Sequence, residues 1–219
     1  MSELRHEYLA ALGIPVWVQR DCAADGADTQ SSGASSWQDL AGRVRACTRC
    51  VLHSSRTQTV FGVGNVHADL LVIGEAPGAD EDRQGEPFVG RAGQLLNAML
   101  GAIHLPRADV YIANILKCRP PSNRDPKPEE AEACMPYLER QIAFIEPKVI
   151  LAVGRIAAQW LLQSDQPIGR LRGTVHSYGT ASTPLVASYH PAYLLRSPLA
   201  KAKAWEDLVL VSRILNDPS

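Results

Sequence analysis

The chain has 219 residues, 46% of them hydrophobic, and a formal net charge of −1 at pH 7. That length and hydrophobic content suffice for one well-buried core, so a single α/β domain is the default expectation. No apolar run approaches the roughly 18 to 20 residues needed to span a bilayer, and the N-terminus lacks the charged-then-apolar layout of a signal peptide. We therefore expect a soluble, cytoplasmic protein that has no membrane partner.

Residues 1–36 are predicted to be a short N-terminal extension. Residues 1–19 have the pattern of an amphipathic helix, and residues 20–36 are small, polar and without periodicity, as in a flexible linker. Cys22 falls in this linker and is expected to be a free thiol. Residues 37–219 are then predicted to form the folded domain.

Four short apolar runs in residues 37–219 predict buried strands, at 70–73, 110–115, 149–153 and 184–189. Helical spacing or capping signals predict helices that begin near residues 36, 91, 128, 154 and 199. Strand and helix alternate four times, which is typical of a parallel sheet with helices on both faces. The sequence therefore predicts a three-layer α/β/α domain with a central four-stranded parallel sheet.

Three chemically notable residues each follow one of these strands: Glu75, Asn114 and His190. Because open α/β sheets bind ligands at the carboxyl ends of their strands, this convergence predicts one functional site. The loop after the first strand also carries Phe88, which fits no helical or strand period. The alternatives are a crossover loop with Phe88 as a hydrophobic plug, Asn114 as a strand-end cap and His190 as a packing residue.

The five cysteines argue for metal ligation over disulfides, because their number is odd and the protein is expected to be cytoplasmic. Cys47 and Cys50 form a C-x-x-C pair, while Cys118 and Cys134 lie far downstream. One close pair and two distant cysteines fit a four-thiolate site for zinc or for a [4Fe–4S] cluster, and spacing does not choose between them. Buried cysteines without a metal are the alternative.

The near-neutral charge conceals an uneven distribution. Residues 1–39 hold two basic and six acidic residues, so residues 40–219 hold 20 basic and 17 acidic residues, a net charge of +3. No acidic residue occurs between Asp165 and Glu206, a window that contains seven Arg, Lys and His residues. A face without acids suits a phosphate backbone, and the alternative is a chance gap in a surface loop.

Three segments together resemble the family 4, iron–sulfur-containing, uracil-DNA glycosylases. The first is the string GEAPGxxEDxxGxPFVGxAGxLL that begins at Gly74, the second is NILKCRPP from Asn114, and the third is HPAYLLR from His190. The resemblance covers about residues 40 to 215. It implies an enzyme of the uracil-DNA glycosylase fold that flips uracil out of single- or double-stranded DNA and hydrolyses its N-glycosidic bond. The product is an abasic site, which initiates base excision repair.

The resemblance also implies roles for the three residues at the strand ends and for the aromatic side chain. Phe88 would stack on the flipped base, since every base presents a π face. Asn114 would match N3–H and O4 of uracil, because its amide offers both an acceptor and donors. His190 would donate a hydrogen bond to O2, where negative charge develops as uracil departs.

The remaining pocket residues are assigned through the first motif, and the handling of the attacking water stays open. Family 1 relatives carry an aspartate there that orients this water, and the corresponding place in this sequence looks like Ala76. Glu75 is therefore expected to bind uracil or water. Gly78 belongs to the expected substrate-binding set, and Glu81 is the candidate that blocks the C5-methyl group of thymine.

DNA contacts are expected from the proline-rich loop and from the third motif, and the cofactor from the cysteine pattern. The proline-rich loop is expected to present three cations to the DNA phosphates: Arg119, Arg124 and Lys127. The third motif is expected to supply a wedge that fills the space left by the base, formed by Leu194, Leu195 and Arg196. The family's [4Fe–4S] cluster would be held by Cys47, Cys50, Cys118 and Cys134 in a monomer. A non-catalytic DNA-binding module and a four-cysteine zinc or redox protein are the alternative functions.

Overall fold

The structure, a computed structural model, describes residues 36–217. The predicted N-terminal helix and linker, with Cys22, lie outside the described residues, so the division at residue 36 stays a prediction. None of the helices within residues 36–217 has the length and apolar character needed to cross a membrane.

In the described part of the chain one sheet contains six strands, with the order β1-β3-β2-β4-β6-β5. The strands are β1 (Val63–Gly64), β2 (Leu70–Gly74), β3 (Tyr111–Asn114), β4 (Val149–Val153), β5 (Val175–Tyr178) and β6 (Thr183–Ser188). The central four strands β3, β2, β4 and β6 are parallel, and they are the four that the apolar runs predict. The outer strands β1 and β5 pair antiparallel with β3 and β6.

The predicted number of four strands is therefore wrong, because two edge strands carry no strand signal in the sequence. Strand β1 is only two residues long, too short to show a period. Strand β5 has no fully buried residue, and Val175 is 50% exposed. An apolar run marks a strand that is buried on both faces, and an edge strand that faces solvent does not need one.

Eight α-helices belong to the described region, and five of them begin within two residues of the predicted starts. They are α1 (Trp37–Arg45), α2 (Ala79–Gln84), α3 (Arg91–Ala102), α4 (Pro128–Ile145), α5 (Arg155–Leu162), α6 (Ile168–Leu171), α7 (Pro191–Arg196) and α8 (Lys201–Asn216). Short 3₁₀ turns lie at Val51–Ser54, Arg107–Asp109, Pro121–Asn123 and Pro198–Ala200. The unpredicted helices α2, α6 and α7 have at most six residues, too few for a visible apolar period.

The sheet separates two apolar layers, which confirms the three-layer architecture. Along β2, Leu71 and Ile73 pack on one side with α1, α4 and α5. Leu70 and Val72 point to the other side, into the layer formed with α3 and α8. Because successive side chains of a strand face opposite ways, a run buried on both faces requires helices on both sides.

One cation of the acid-free window, Arg172, is paired with acidic residues that follow the window. Arg172 donates from Nε and Nη2 to the carboxylate of Asp207 at 3.1 and 2.8 Å, and from Nη2 to Glu206 at 2.9 Å. Both acids lie on α8, just beyond the window. The Arg172 side chain is therefore tied into the fold and is not free for a phosphate contact.

Two glycines of α3 give a matched test of how tightly this helix packs against the preceding loop. A Cβ atom on Gly93 would lie 1.8 Å from the Phe88 carbonyl oxygen, whereas a Cβ on Gly101 would meet no atom within 4 Å. We expect Gly93→Ala to lower the free energy of unfolding by about 1–3 kcal/mol. Gly101→Ala should leave it unchanged or raise it by up to about 1 kcal/mol. Urea unfolding of both variants checks this, and equal effects would contradict the packing described.

Candidate active site

The residues that follow the parallel strands line one cavity of about 490 Å³ at the carboxyl edge of the sheet. Glu75 follows β2, Asn114 ends β3 and His190 lies two residues beyond β6. Of the other residues predicted for the pocket, the cavity wall contains Ala76, Gly78, Glu81 and Phe88, and Arg196, predicted as a DNA contact, lies in this wall as well. It also contains residues that the sequence did not single out: Ala92, Asn123, Asp125, Ala192 and Tyr193.

Asn114 is 2% exposed, and its Oδ1 atom has no hydrogen-bond partner within residues 36–217. Its backbone oxygen, in contrast, accepts a hydrogen bond from Nζ of the buried Lys117 at 2.8 Å. A buried acceptor without a partner costs free energy, which makes it a feature that calls for an explanation. A ligand that brings an N–H group to this point would supply the missing donor.

The side chains of Phe88 and Asn114 both pack against the Cα atom of Gly74. A Cβ atom on Gly74 would lie 2.4 Å from Asn114 Oδ1 and 2.7 Å from Phe88 Cζ, so both side chains reach the space that a larger residue would occupy. The Phe88 ring stacks with the His190 ring, with 5.5 Å between centroids and 28° between planes. The aromatic face and the amide are thus neighbours in one wall of the cavity.

The loop that carries Phe88 is tied together by the carboxylate of Glu81. Its Oε2 accepts from the backbone N–H of Gly78 at 3.1 Å, and its Oε1 accepts from those of Val89 and Gly90 at 3.0 and 3.3 Å. Glu81 therefore joins the turn after β2 to the start of α3. Whether it also excludes a methyl group from the cavity is a separate matter, which stays a prediction.

His190 is a neutral imidazole with a defined tautomer. Burial of the ring, reinforced by the positive charge of Arg196 and opposed by Glu81, lowers the pKa of His190 to about 4. The Nδ1 atom accepts a hydrogen bond from the Ala192 N–H at 3.1 Å, as the cap of helix α7. The proton of the neutral ring is therefore on Nε2, which leaves Nε2–H as a donor.

Glu75 titrates much closer to neutrality than an ordinary carboxylic acid. Burial is the main reason that its pKa is raised to about 7, and the negative charge of Asp125 raises it further, while Arg155 lowers it. Asp125 itself is paired with Arg155 at 2.7 Å. Asp125 could not be singled out from the sequence, because it lies in a proline-rich loop without periodicity. The negative charge of Asp125 in the same cavity wall thus acts on the protonation of Glu75.

The predicted wedge residues differ in their exposure. Leu194 is 1% exposed and packs in the core against α3 and α8, so its side chain is not presented to a partner. Leu195 is 36% exposed, and Arg196 is exposed in the cavity wall. Leu195 and Arg196 are therefore open to solvent, whereas Leu194 belongs to the core.

The cations of the proline-rich loop are also unequal. Arg124 donates from Nη1 to Glu130 at 2.8 Å and forms an ion pair with this buried carboxylate. Arg119 donates to Asn123 at 2.8 Å, and Lys127 is exposed. Arg124 therefore braces the loop on α4, whereas the Lys127 side chain is open to solvent and that of Arg119 is partly exposed.

The four cysteines predicted as ligands all line one small cavity between α1, the loop after β3 and α4. Cys118 Sγ accepts from Nη1 of Arg56 at 3.2 Å, and Cys134 Sγ accepts from the Lys117 N–H at 3.3 Å. Within residues 36–217, no three His, Cys, Asp or Glu side chains are already arranged as a coordination sphere. The donor set nevertheless fits a four-thiolate metal group, because N–H donors to the sulfurs are typical surroundings of such groups.

The sequence model of the uracil DNA glycosylase superfamily matches residues 61–209. The chain is 44% identical over 185 residues to the type-4 uracil-DNA glycosylase of Archaeoglobus fulgidus, covering 82% of this chain and 93% of that protein. It is also 44% identical over 156 residues to that of Thermotoga maritima, covering 71% and 81%. The type-5 enzyme of Thermus thermophilus is 35% identical over 152 residues, covering 60% and 68%.

The region that matches the superfamily contains every residue that lines the active-site cavity. This match, with identities of 44% to two proteins over most of the chain, confirms the resemblance seen in the three motifs. The chain belongs to the uracil DNA glycosylase superfamily.

Proposed function

We propose that this protein is a DNA repair enzyme that hydrolyses the bond between uracil and deoxyribose in DNA. Free uracil and an abasic site are the products. A base inside a duplex cannot reach the cavity, so the nucleotide has to be flipped out, at a cost of a few kcal/mol. The single observation that carries the proposal is the buried Oδ1 of Asn114, which has no hydrogen-bond partner among residues 36–217 and lies beside the aromatic ring of Phe88. The named relatives are uracil-DNA glycosylases, which agrees with it.

Asn114 supplies the discrimination between uracil and cytosine. The N3–H group of uracil would donate to Oδ1, and O4 would accept from Nδ2. Cytosine presents an acceptor at N3 and a donor at position 4, so the same amide would face two mismatched contacts. A site built to receive a donor rejects a base that lacks one, because the buried acceptor would again be unpaired.

The base would enter between the Phe88 ring and the first-motif turn. Base–aromatic stacking is worth about 1–3 kcal/mol, and the small residues Ala76 and Gly78 of this turn also line the cavity. Glu81 holds this turn and the Phe88 loop together. From that position in the wall we propose that it also crowds the place of a thymine methyl group.

His190 would stabilise the departing uracil anion. Its Nε2–H is free to donate to O2, because the other ring nitrogen is occupied by the Ala192 N–H. Because its pKa is about 4, the ring stays neutral near pH 7 and keeps the proton on Nε2. A donor already in place needs no reorganisation as charge develops on the base. The contribution therefore falls mainly on the transition state and not on the binding of DNA.

We expect His190→Ala to lower single-turnover excision by roughly 10²–10³-fold, the usual effect of removing one such donor. Affinity for the same uracil duplex should change little. The measurement is excision at saturating enzyme beside a binding titration, with the exposed His67→Ala as the matched control. Arg196→Ala should do the reverse, weakening binding and its salt dependence. A His190 variant that binds poorly yet keeps its single-turnover rate would exclude this role.

Glu75 is the best placed group to handle the attacking water. A carboxylate can accept a proton from water and can also favour the positively charged sugar of the transition state. Its raised pKa, about 7, means that a substantial part of the enzyme carries the inactive, protonated form near neutral pH. Asp125, in the same cavity wall, adds negative charge near the sugar.

The pH dependence of excision tests this assignment. The rate should fall as pH falls through about 7, because Glu75 gains its proton there, while His190, with a pKa of about 4, adds no step between pH 6 and 8. Asp125→Asn should move the fall to lower pH, since removing a negative charge lowers the pKa of Glu75. Glu75→Gln should slow the reaction and abolish the pH dependence. If the rate of Glu75→Gln still fell near pH 7, the titrating group would be a residue other than Glu75.

The DNA backbone would be bound at the rim of the cavity. Arg119 and Lys127 on the proline-rich loop and Arg196 after the base-binding histidine are the proposed phosphate contacts, and Leu195 the wedge. The protein is expected to act as a monomer. Residues 1–34 are expected to be dispensable for excision.

The cofactor is proposed to be a [4Fe–4S] cluster held by Cys47, Cys50, Cys118 and Cys134. The convergence of all four side chains on one cavity supports this, together with the type-4 relatives. When bound, the cluster would supply a cross-link between the segment after α1, the loop after β3 and helix α4. That loop continues into the proline-rich segment, so the cross-link would help to fix the cations that face DNA.

Purified protein should therefore be brown, with broad absorption near ~400 nm and about four iron atoms per chain. Changing any of the four cysteines to alanine should abolish the absorption and lower thermal stability. Cys22→Ala provides the matched control and should retain iron and stability. Iron analysis and absorption spectra of anaerobically prepared protein are the measurements. Stoichiometric zinc without iron would overturn the cluster assignment.

A further inference from the structure

Phe88 has a backbone conformation that neighbouring contacts must maintain. Its φ is +55°, in the left-handed region that bulky side chains seldom adopt. Such a conformation persists only where the surroundings over-determine it, and it is common at functional sites. Since the direction of the ring follows from that backbone, whatever holds the Phe88 peptide groups also aims the ring at the base.

One residue outside the cavity wall holds these peptide groups by their oxygens. Arg107 donates from Nη2 to the carbonyl of Pro87 at 2.6 Å, and its Nη1 reaches the carbonyl of Phe88 at 3.4 Å. Nη1 also donates to Oδ1 of Asn97 on α3 at 3.2 Å. The planar guanidinium thus bridges two successive carbonyls and the helix that follows the loop, a geometry that a lysine ammonium cannot reproduce.

The position of Arg107 in the chain links the Phe88 loop to strand β3. It begins the 3₁₀ turn Arg107–Asp109, which leads into β3, and β3 ends at Asn114. The same framework therefore supports the residue that reads the base edge and the residue that would stack on the base face. Glu81 holds the amide groups of the next two residues, Val89 and Gly90.

We propose that Arg107 is a positioning residue for base stacking, which fixes the Pro87 and Phe88 carbonyls and so sets the Phe88 ring against the flipped base. The inference rests on the proposed function, because it names a further determinant of the same site. It predicts that Arg107 acts only through Phe88. An arginine that instead contacts a DNA phosphate would act independently of the ring.

A double-mutant cycle separates these two roles. Phe88→Leu is the suitable stacking-deficient variant, because Phe88 is 7% exposed and leucine keeps the apolar contacts of the core. Stacking worth about 1–3 kcal/mol corresponds to roughly 5- to 150-fold in rate, so Arg107→Met should lower single-turnover excision by about 5- to 30-fold. In the Phe88→Leu background it should change the rate by less than about twofold. Arg107→Lys should recover only part of the loss.

Lys148→Met is the matched control for loss of a cation. Lys148 pairs with Asp69 beside the amino ends of the strands, away from the cavity, and its change should leave the rate unaltered in both backgrounds. Equal losses for Arg107→Met with and without Phe88, or a flatter salt dependence of DNA binding, would overturn the proposal. No loss of rate in Arg107→Met would overturn it as well.

Hydrogen exchange tests the clamp without relying on catalysis. Arg107→Met should speed amide exchange in the Phe88 loop, residues 86–90, because release of the carbonyls loosens the amides that Glu81 holds. Exchange in β4 should remain slow, which shows that the variant is folded. Unchanged exchange in the loop would exclude the clamp. Failure of the wild-type protein to remove uracil, with the loop nevertheless loosened in the variant, would instead count against the proposed function alone.

Discussion

The active site depends on the absence of a side chain at Gly74. This residue ends β2, and the space above it is occupied by the Phe88 ring and the Asn114 amide, both closer than a Cβ atom would allow. Close approach of this kind is a common reason for glycine at a strand end. The flat face and the hydrogen-bonding edge of the cavity are thereby brought side by side, and the same backbone continues directly into Glu75.

Burial then sets the protonation of two titratable groups in the cavity wall, Glu75 and His190, with opposite results. It disfavours the charged form of each, so His190 becomes neutral while Glu75 retains its proton to higher pH. The histidine gains from this, because a neutral donor with a fixed tautomer is ready for the leaving uracil. Glu75, in contrast, is partly protonated near pH 7 and is then unable to act as a base. The charges of the Asp125–Arg155 pair adjust its pKa and so the protonated fraction.

The parallel strands and the meeting of Glu75, Asn114 and His190 could be predicted from the sequence, because buried strands require apolar runs and polar residues mark their ends. Contacts across long sequence separations could not. In the sequence Leu194 cannot be distinguished from the adjacent Leu195, which is exposed. Only the packing of α7 on α3 and α8 places Leu194 in the core. Arg107 stands outside every motif, and its role is visible only where its guanidinium meets the loop.

The most direct test of the account is Asn114→Asp, measured as single-turnover excision from duplexes that carry uracil or cytosine at the same position. Burial should keep the new carboxyl group protonated, so that it donates where the amide oxygen accepted and matches cytosine better. The account predicts a fall of at least about 100-fold for uracil and a measurable rate for cytosine. Uracil excision at the wild-type rate would contradict it, because the base edge would then be read by another residue.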